Sequence, residues 1–257
     1  MEAHDVKEDT FAPIQQAPAY LLVAKTIERK IVNGHILPGE AIGTESELAR
    51  QLGVNRSTVR EGLRCVEQAG LLERKAGRKF VVSLPNQRQL ADRVSRALVL
   101  QQVTFREVAE ATRLLETTAT VLAAERRSKA DLDAISDNIR RTKAAVNQPA
   151  VLADLQVEFH ALIAIAARNR VLDLAREPSS LMIRIATRII FENSEVAASR
   201  VIEAHEMILD ALERRDVKDA ELWIQRHVND FVKGFERTGR SPDVPIQSLL
   251  ELGLEEE

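Results

Sequence analysis

Three histidines in the C-terminal half of the chain, His160, His205 and His227, lie on three different predicted helices, and no local repeat accounts for them. Neutral imidazoles that converge inside a helical bundle suit a divalent transition metal such as zinc or nickel. The alternative is that each is an ordinary helical histidine, on the surface or hydrogen-bonded in the core. The residue types alone leave both interpretations open.

Three arginines, Arg56, Arg60 and Arg64, recur at i, i+4 and i+8 on another predicted helix and form one basic row. Guanidinium groups on such a helix neutralise phosphates or bind the O6 and N7 of guanine in the major groove of DNA. An ordinary solvated helix face would show the same row, so the surrounding elements must decide. A separate apolar row on this helix is expected to face a core: Val59, Leu63 and Val66.

The elements around this helix are typical of a winged helix-turn-helix. Thr44, with Glu47 three residues later, forms a capping box that starts a first helix. Gly53 supplies the turn, Asn55 suits the N-cap of the basic helix, and Gly70 suits a left-handed position after its end. The order of these signals favours DNA binding over a merely solvated basic face.

Two predicted strands, 71–75 and 80–83, follow the basic helix and form a hairpin. Their turn, 76–79, carries adjacent cations at Arg78 and Lys79. A basic hairpin tip beside a recognition helix would reach phosphate or the neighbouring minor groove. The first candidates for contact with DNA are Arg56, Ser57 and Arg60.

The remainder of the chain predicts a different architecture, because residues 90–238 show neither strand alternation nor a glycine-rich loop. The predicted fold is mainly α: an N-terminal winged helix-turn-helix with a small β-hairpin, plus a C-terminal seven-helix antiparallel bundle. The seven helices are predicted at 89–101, 104–126, 129–146, 150–168, 170–191, 195–214 and 216–237. The predicted domains are a flexible tail at 1–18, the winged domain at 19–84, a linker at 85–89, the helical domain at 90–238 and a loosely held tail at 239–257.

Charge is unevenly distributed along the 257 residues. The formal net charge is −3, yet residues 20–83 contain eleven Lys or Arg against seven Asp or Glu, a surplus of four. A basic segment in an otherwise acidic protein is typical of a DNA-reading module joined to another domain. The single cysteine, Cys65, excludes an intrachain disulfide and a multi-thiolate metal site. We expect no apolar run of membrane-spanning length and a cytoplasmic location.

The chain resembles the GntR superfamily of bacterial transcription regulators, FadR-type branch, whose C-terminal half is the FCD ligand-binding domain. The N-terminal resemblance is nearly continuous through ILPGE at 36–40, NRSTVREGL at 55–63 and EQAGLLER at 67–74. The C-terminal resemblance is looser and rests on RLLE at 113–116, FH at 159–160, AH at 204–205 and RH at 226–227. Together these segments extend over about residues 19–238.

For the winged domain, the resemblance implies that Arg56 and Arg60 contact DNA and that Gly77 and Arg78 belong to the wing. Ser46 stands where many members carry an arginine that reaches DNA, and Lys79 stands where a small residue is usual. The full set of DNA-binding candidates is Ser46, Asn55, Arg56, Ser57, Thr58, Arg60, Gly77, Arg78 and Lys79.

For the helical domain, the resemblance implies that the three histidines bind a metal and that Arg113 bonds an effector carboxylate. Gln156 stands where the family has an aspartate ligand, one helical turn before His160, and is a candidate fourth ligand. Without a metal, the histidines and Gln156 could still hydrogen-bond a polar effector. The alternative for Arg113 is a surface ion pair with Glu116, three residues later.

The predicted function is a homodimeric, non-enzymatic transcription regulator, a repressor or a dual regulator. It would bind an inverted-repeat operator and be released by a small carboxylate effector. One alternative is a regulator whose effector is the metal itself. A second is a metal hydrolase, which the sequence disfavours because no carboxylate at suitable spacing beside His160 suggests a general base.

Overall fold

The fold is that of a computed structural model and is described for residues 17–75, 79–84, 86–194 and 196–248. The chain forms two compact units, Met1–Asn86 and Gln87–Glu257. Within the described residues, ten helices and one small antiparallel sheet confirm the predicted fold class, which is mainly α with a winged helix-turn-helix and a helical C-terminal unit.

The N-terminal unit packs three helices and a two-stranded sheet around one small core. Val59, Leu63 and Val66 are all buried there, which confirms that the apolar row of the basic helix faces inward. The strands pair in antiparallel register, with Leu72 opposite Val82. The elements of this unit are α1 (Ala19–Val32), α2 (Glu45–Leu52), α3 (Arg56–Gln68), β1 (Leu72–Lys75) and β2 (Lys79–Val82).

Local hydrogen bonds fix where α2 and α3 begin, as the sequence predicts. The Glu47 amide donates to Thr44 Oγ1 at 3.2 Å, and the Thr44 amide donates to Glu47 Oε2 at 2.7 Å, so the capping box is confirmed. Gly53 ends α2 in the left-handed conformation, with φ of +65°. Asn55 caps α3 by accepting from the Thr58 amide at 2.7 Å.

The contact between α1 and α3 depends on Gly62. A Cβ atom added at this glycine would lie 2.6 Å from Val23 Cγ1 and 3.0 Å from the backbone oxygen of Tyr20. Such distances are well inside van der Waals contact, so any larger residue would force the two helices apart. The glycine therefore sets how closely the basic helix packs on α1.

The C-terminal unit is a helical bundle, and its first helix begins at Gln87. Residues 87–89 of the predicted linker are therefore helical. The seven helices are α4 (Gln87–Leu100), α5 (Phe105–Arg126), α6 (Lys129–Ala144), α7 (Pro149–Ala166), α8 (Arg170–Glu192), α9 (Ala197–Arg214) and α10 (Val217–Arg237).

Helix α7 contradicts the expectation that no apolar run has membrane-spanning length. It is 18 residues long with a mean hydropathy of 1.4. Half of it is buried inside the protein, where Phe159 and Ile163 are fully covered by the bundle. A core helix of a soluble protein passes the same test, so this is weak evidence for a membrane.

The segment after α10 does not behave as a loose tail up to residue 248. The Ile246 amide donates to the Val103 oxygen at 2.8 Å, and the Arg106 amide donates to the Pro242 oxygen at 2.8 Å. Ile246 is only 1% exposed and belongs to the same apolar cluster as Phe105. The expectation of a loosely held tail is therefore wrong for residues 239–248, because an apolar anchor and backbone hydrogen bonds hold them on the start of α5.

We expect Ile246→Ala to lower the free energy of unfolding of the helical unit by about 2–5 kcal/mol, because it leaves a cavity in this cluster. Urea unfolding followed by the fluorescence of Trp223, the single tryptophan and a residue of this unit, measures the change. The matched control is Ile165→Ala, whose side chain is 50% exposed. Equal losses in both variants would contradict the docking.

Candidate functional site

An open groove of about 480 Å³ on the N-terminal unit collects four of the predicted DNA-binding residues. Those four are Ser46, Arg56, Arg60 and Lys79. Arg74 lines the same groove and lies over the Phe80 ring at 4.7 Å from its centroid. Arg74 is not among the residues predicted from the sequence, and its neighbours on β1, Glu73 and Lys75, are exposed as well, so no alternation singles it out.

Other predicted DNA-binding residues lie elsewhere or outside the described residues. The Asn55 carboxamide is engaged at the N-cap of α3, where it accepts from the Thr58 amide and from Ser57 Oγ, each at 2.7 Å. Asn55, Ser57 and the backbone amide of Thr58 therefore form the N-cap of α3, and none of these residues lines the groove. Gly77 and Arg78 lie outside the described residues.

One carboxylate, Glu45, holds Arg60 at the groove. Arg60 donates to both carboxylate oxygens of Glu45, through Nη2 at 2.8 Å and Nε at 3.1 Å. The hydrogen bond from Arg60 lowers the pKa of Glu45, and the same bond raises the pKa of Arg60. Among the described residues Arg56 forms no ion pair, so its guanidinium is available to a ligand. With four cations and one carboxylate in its lining, the groove has a net positive charge, which suits the negatively charged phosphate backbone of DNA.

We expect Arg56→Ala to weaken binding to duplex DNA and to reduce the slope of log K against log salt by about one, because one phosphate neutralisation is lost. Fluorescence anisotropy of a labelled duplex between low and moderate salt measures the slope. Arg64→Ala is the matched control, since Arg64 lies on the same helix, pairs with Glu61 and does not line the groove. An unchanged slope for Arg56→Ala would count against contact with phosphate.

The structure brings His160, His205 and His227 together in the helical unit. All three are buried, and each offers a ring nitrogen within 4.8 Å of the others. The Nε2 atoms of His160 and His227 are 3.3 Å apart. His205 stacks on Phe159 with ring centroids 3.4 Å apart, and neither of its nitrogens has a hydrogen-bond partner within the described part of the chain.

A buried carboxylate fixes the orientation of His160. His160 Nδ1 lies 3.0 Å from Glu116 Oε2, and Arg176 Nε donates to Glu116 Oε1 at 3.1 Å. Burial raises the pKa of Glu116, but His160 and Arg176 outweigh it and the pKa is lowered overall. The ionised carboxylate can only accept, so Nδ1 of His160 donates to it, and in the neutral imidazole Nε2 then keeps its lone pair for the other histidines.

The sequence analysis missed this arrangement. It considered Glu116 only as a partner of Arg113, and it left out Arg176. Glu116 and His160 are 44 positions apart, so no local spacing indicates the contact. The hydrolase was disfavoured because no carboxylate was expected beside His160, and this expectation is wrong, since Glu116 lies there. Both oxygens of Glu116 are nevertheless engaged, so the carboxylate is not a free general base.

Arg113 is not brought to the histidines. It is exposed and lines a surface groove with Arg106 and Glu110. The alternative ion pair with Glu116 is wrong, because that carboxylate is paired with His160 and Arg176. A role for Arg113 in effector binding stays a prediction.

The predicted fourth residue, Gln156, does lie in the cluster. Its Nε2 is 3.1 Å from His160 Nε2 and 2.7 Å from His227 Nε2, while its Oε1 is buried without a partner. Tetrahedral zinc holds nitrogen ligands at about 2.0–2.1 Å, which separates two of them by roughly 3.3–3.4 Å. The 3.3 Å between His160 and His227, together with the unpartnered nitrogens of His205, therefore fits a divalent metal.

A cavity of about 400 Å³ opens above this cluster, between α8, α9 and α10. Gln156 and His227 form its floor, and Ile190 and Phe191 belong to its apolar wall. Two acids, Glu203 and Asp230, line the cavity. Four exposed cations also line it, so positive charges exceed negative charges by two: Arg200, Arg226, Lys233 and Arg237. An anion with an apolar body would match this lining.

A second, smaller cavity of about 30 Å³ lies on the other side of the cluster. Glu116, His160 and Arg176 line it. Gln156 and His227 line both cavities, so they stand between the two spaces.

We expect the metal-free protein to lose stability as the pH falls from 7 to 5.5, because two buried histidines stay neutral while the unfolded chain gains protons. Burial and the neighbouring His160 lower the pKa of His227 to about 3, and burial also lowers the pKa of His205. A folded-state pKa below the unfolded value of about 6.5 means that stability is lost below pH 6.5, by up to about 1.4 kcal/mol per histidine and pH unit.

Urea unfolding in the presence of a chelator, followed through Trp223, measures this dependence. His227→Gln is expected to flatten it by one histidine, whereas His35→Gln, at an exposed position in the N-terminal unit, is expected to leave it unchanged. The same pH dependence in His227→Gln as in the unchanged chain would contradict the assignment.

Comparisons with known proteins match parts of both units of the chain. The model of the bacterial regulatory proteins, gntR family, matches residues 19–82, and the FCD domain model matches residues 107–230. The chain is 29% identical over 212 residues to the HTH-type transcriptional regulator LutR of Bacillus subtilis, covering 80% of this chain and 97% of LutR.

Two further matches extend the comparison. The galactonate operon transcriptional repressor of Escherichia coli is 24% identical, covering 76% of this chain and 87% of the repressor. A solved structure, Streptococcus agalactiae GntR, has a TM-score of 0.59 at 23% identity, covering 82% of this chain and 98% of that chain, and it shows the same fold. The chain therefore belongs to the GntR family of bacterial transcription regulators, in the FadR-type branch that carries an FCD domain.

Proposed function

We propose that this protein is a homodimer that binds an inverted-repeat operator and is released from it by a small organic acid. The observation that carries the proposal is the cation-rimmed cavity above the buried histidines, in a chain whose winged domain presents four cations around one groove. The first feature suits an anionic effector and the second suits DNA.

Binding as a dimer follows from the way a winged domain reads DNA. One copy of α3 covers a half-site, and two copies related by a two-fold axis match a palindrome. The effector would change the affinity for DNA only if it bound the two arrangements of the paired winged domains unequally. We place this activity in the cytoplasm.

The effector is proposed to be a carboxylate with hydroxyl groups or a short apolar body. The cationic rim favours the carboxylate, and the floor of Gln156 and His227 offers hydrogen bonds to hydroxyls. One relative is named for an operon of galactonate, which is a hydroxylated acid. That name supports the chemical class and leaves the identity of this protein's effector to experiment.

A divalent metal would be held by His160, His205 and His227. When bound, it would supply positive charge at the cavity floor, which attracts an acid. Glu116 would position the imidazole of His160 for metal binding by accepting a hydrogen bond from Nδ1 of His160, and Arg176 helps to keep Glu116 ionised. The second candidate function, a regulator whose effector is the metal itself, is favoured by the two unpartnered nitrogens of His205.

Repression is our proposal for the sign of regulation. The relatives carry both signs, since the galactonate protein is named a repressor and the Glc operon protein of Escherichia coli is named an activator. A non-enzymatic role is proposed as well, because the named relatives are transcription regulators and Glu116 is not free to act as a base.

The test begins with duplexes selected from a random library by the purified full chain. We expect a two-fold symmetric sequence, bound by two chains, and release of the labelled duplex on titration with one of a panel of hydroxy acids. Trp223 lines the cavity, so its fluorescence should report binding of the same acid without DNA. An asymmetric site, or acids that change fluorescence without changing DNA affinity, would contradict the proposal.

Gly234→Ala is expected to act in opposite directions on stability and on effector binding. Gly234 lies inside α10, and an added Cβ would meet Ile190 at 3.4 Å, an ordinary contact. Replacing a helix glycine by alanine stabilises by about 0.5–1 kcal/mol. Because Gly234 and Ile190 both line the cavity, the methyl group should also weaken effector binding several-fold.

Trp223 fluorescence measures both quantities in the same protein, by urea unfolding and by titration with the acid. Ser199→Ala is the control for a change outside the cavity, since Ser199 is exposed on α9 and does not line it. Tighter effector binding in Gly234→Ala would count against this cavity as the effector site.

A further inference from the structure

The amide nitrogen of Gln156 contacts the two imidazole nitrogens that would bind a metal, Nε2 of His160 and Nε2 of His227. It is 3.1 Å from one Nε2 and 2.7 Å from the other. Both distances are those of N–H···N hydrogen bonds, and one amide group has two N–H donors for the two imidazoles. In the tautomers that leave a lone pair on Nε2, the form in which a histidine binds a metal through this atom, the amide supplies a donor to both imidazoles.

The orientation of the amide follows from Glu116. Because the His160 Nδ1–H is donated to the Glu116 carboxylate, Nε2 of the neutral imidazole can only accept. The opposite amide orientation would place the lone pairs of Gln156 Oε1 against the lone pair of this nitrogen. The donating orientation avoids that repulsion, and the buried Oε1 is left without a partner as a consequence.

We propose that Gln156 competes with the metal for the three-histidine site: its carboxamide caps His160 and His227 in the metal-free protein and must withdraw before a divalent cation binds. This inference rests on the metal binding proposed above. Gln156 is here a positioning residue and an internal competitor, in contrast to the fourth ligand that the sequence suggested. The site is consequently built for reversible rather than permanent occupancy.

Withdrawal of the amide would also change the cavities. Gln156 lines both the 400 Å³ and the 30 Å³ spaces, and its neighbour His160 lines the smaller one alone. Movement of the carboxamide away from the imidazoles would therefore give a molecule in the larger cavity access to the metal position. Loading of the metal and access of the effector are then two results of one side-chain movement.

The sign of one mutation separates a competitor from a ligand. Removing a competitor tightens metal binding, whereas removing a ligand weakens it. Gln156→Ala deletes two hydrogen bonds that exist only in the metal-free state, so the dissociation constant for zinc should fall by about tenfold or more. Gln156→Leu fills the space without any N–H donor and should change it in the same direction.

The experiment titrates ZnCl₂ into the full chain against a chromophoric chelator and compares these two variants with the unchanged protein. Gln225→Ala is the matched control, because Gln225 lies on α10 and, among the described residues, its side chain bonds only to Glu221 on the same helix. Adding His205→Ala to Gln156→Ala should abolish the tight binding. The Trp223 unfolding transition, with and without zinc, shows whether each variant is folded and gives a second readout of metal binding.

Tighter zinc binding in both Gln156 variants, with no change in Gln225→Ala, is the expected result. Weaker binding in both would overturn the proposal and make Gln156 a ligand through Oε1. Zinc binding that is absent from the unchanged protein and from both variants would overturn it as well. DNA binding measured on the same preparations distinguishes these failures from a failure of the regulator function.

Discussion

The buried ion pair between Glu116 and Arg176 is the interaction on which the chemistry of the helical unit depends. A carboxylate that is 3% exposed can stay ionised only if a cation and a hydrogen-bond donor compensate for lost water, and Arg176 and His160 do so. The ion pair also determines the protonation pattern of the neighbouring His160. By holding the proton of His160 on Nδ1, Glu116 leaves a lone pair facing inward, and that lone pair requires either a donor or a cation.

The two units use charge in opposite ways. In the winged unit the cations are exposed around one groove. Glu45, the acid among the described lining residues, offsets part of their positive charge by pairing with Arg60. In the helical unit the charged groups at the histidine cluster are buried and paired, while exposed cations stand at the rim of the cavity, among them Arg200, which pairs with Asp230. The interactions of an exposed cation are screened by salt and strengthened by a polyanion. A buried hydrogen-bond network changes only when one partner is replaced by another.

Sequence reasoning succeeded where the signal is local. Helix starts at Thr44 and Asn55 depend on neighbours three residues away, and the periodicity of α5 to α10 appears within each segment. It found the three histidines through residue type and resemblance. It missed Arg176 and the role of Glu116, because these contacts join positions 44 and 60 residues apart. It also misjudged the segment after α10, since Ile246 becomes an anchor only once the start of α5 is in place.

The missing side chain of Gly62 has a consequence for how such a protein evolves. The glycine brings α3 against α1 on one face, and Val59 and Leu63 fill the core beside it, while Arg56 and Arg60 stand on the face that lines the groove. Core packing and the lining of the groove are thus carried by separate faces of a single helix. In the proposed mode of DNA binding, substitutions on the groove face would redirect the protein to a new operator while the packing of the other face is kept, so its targets would change by single mutational steps.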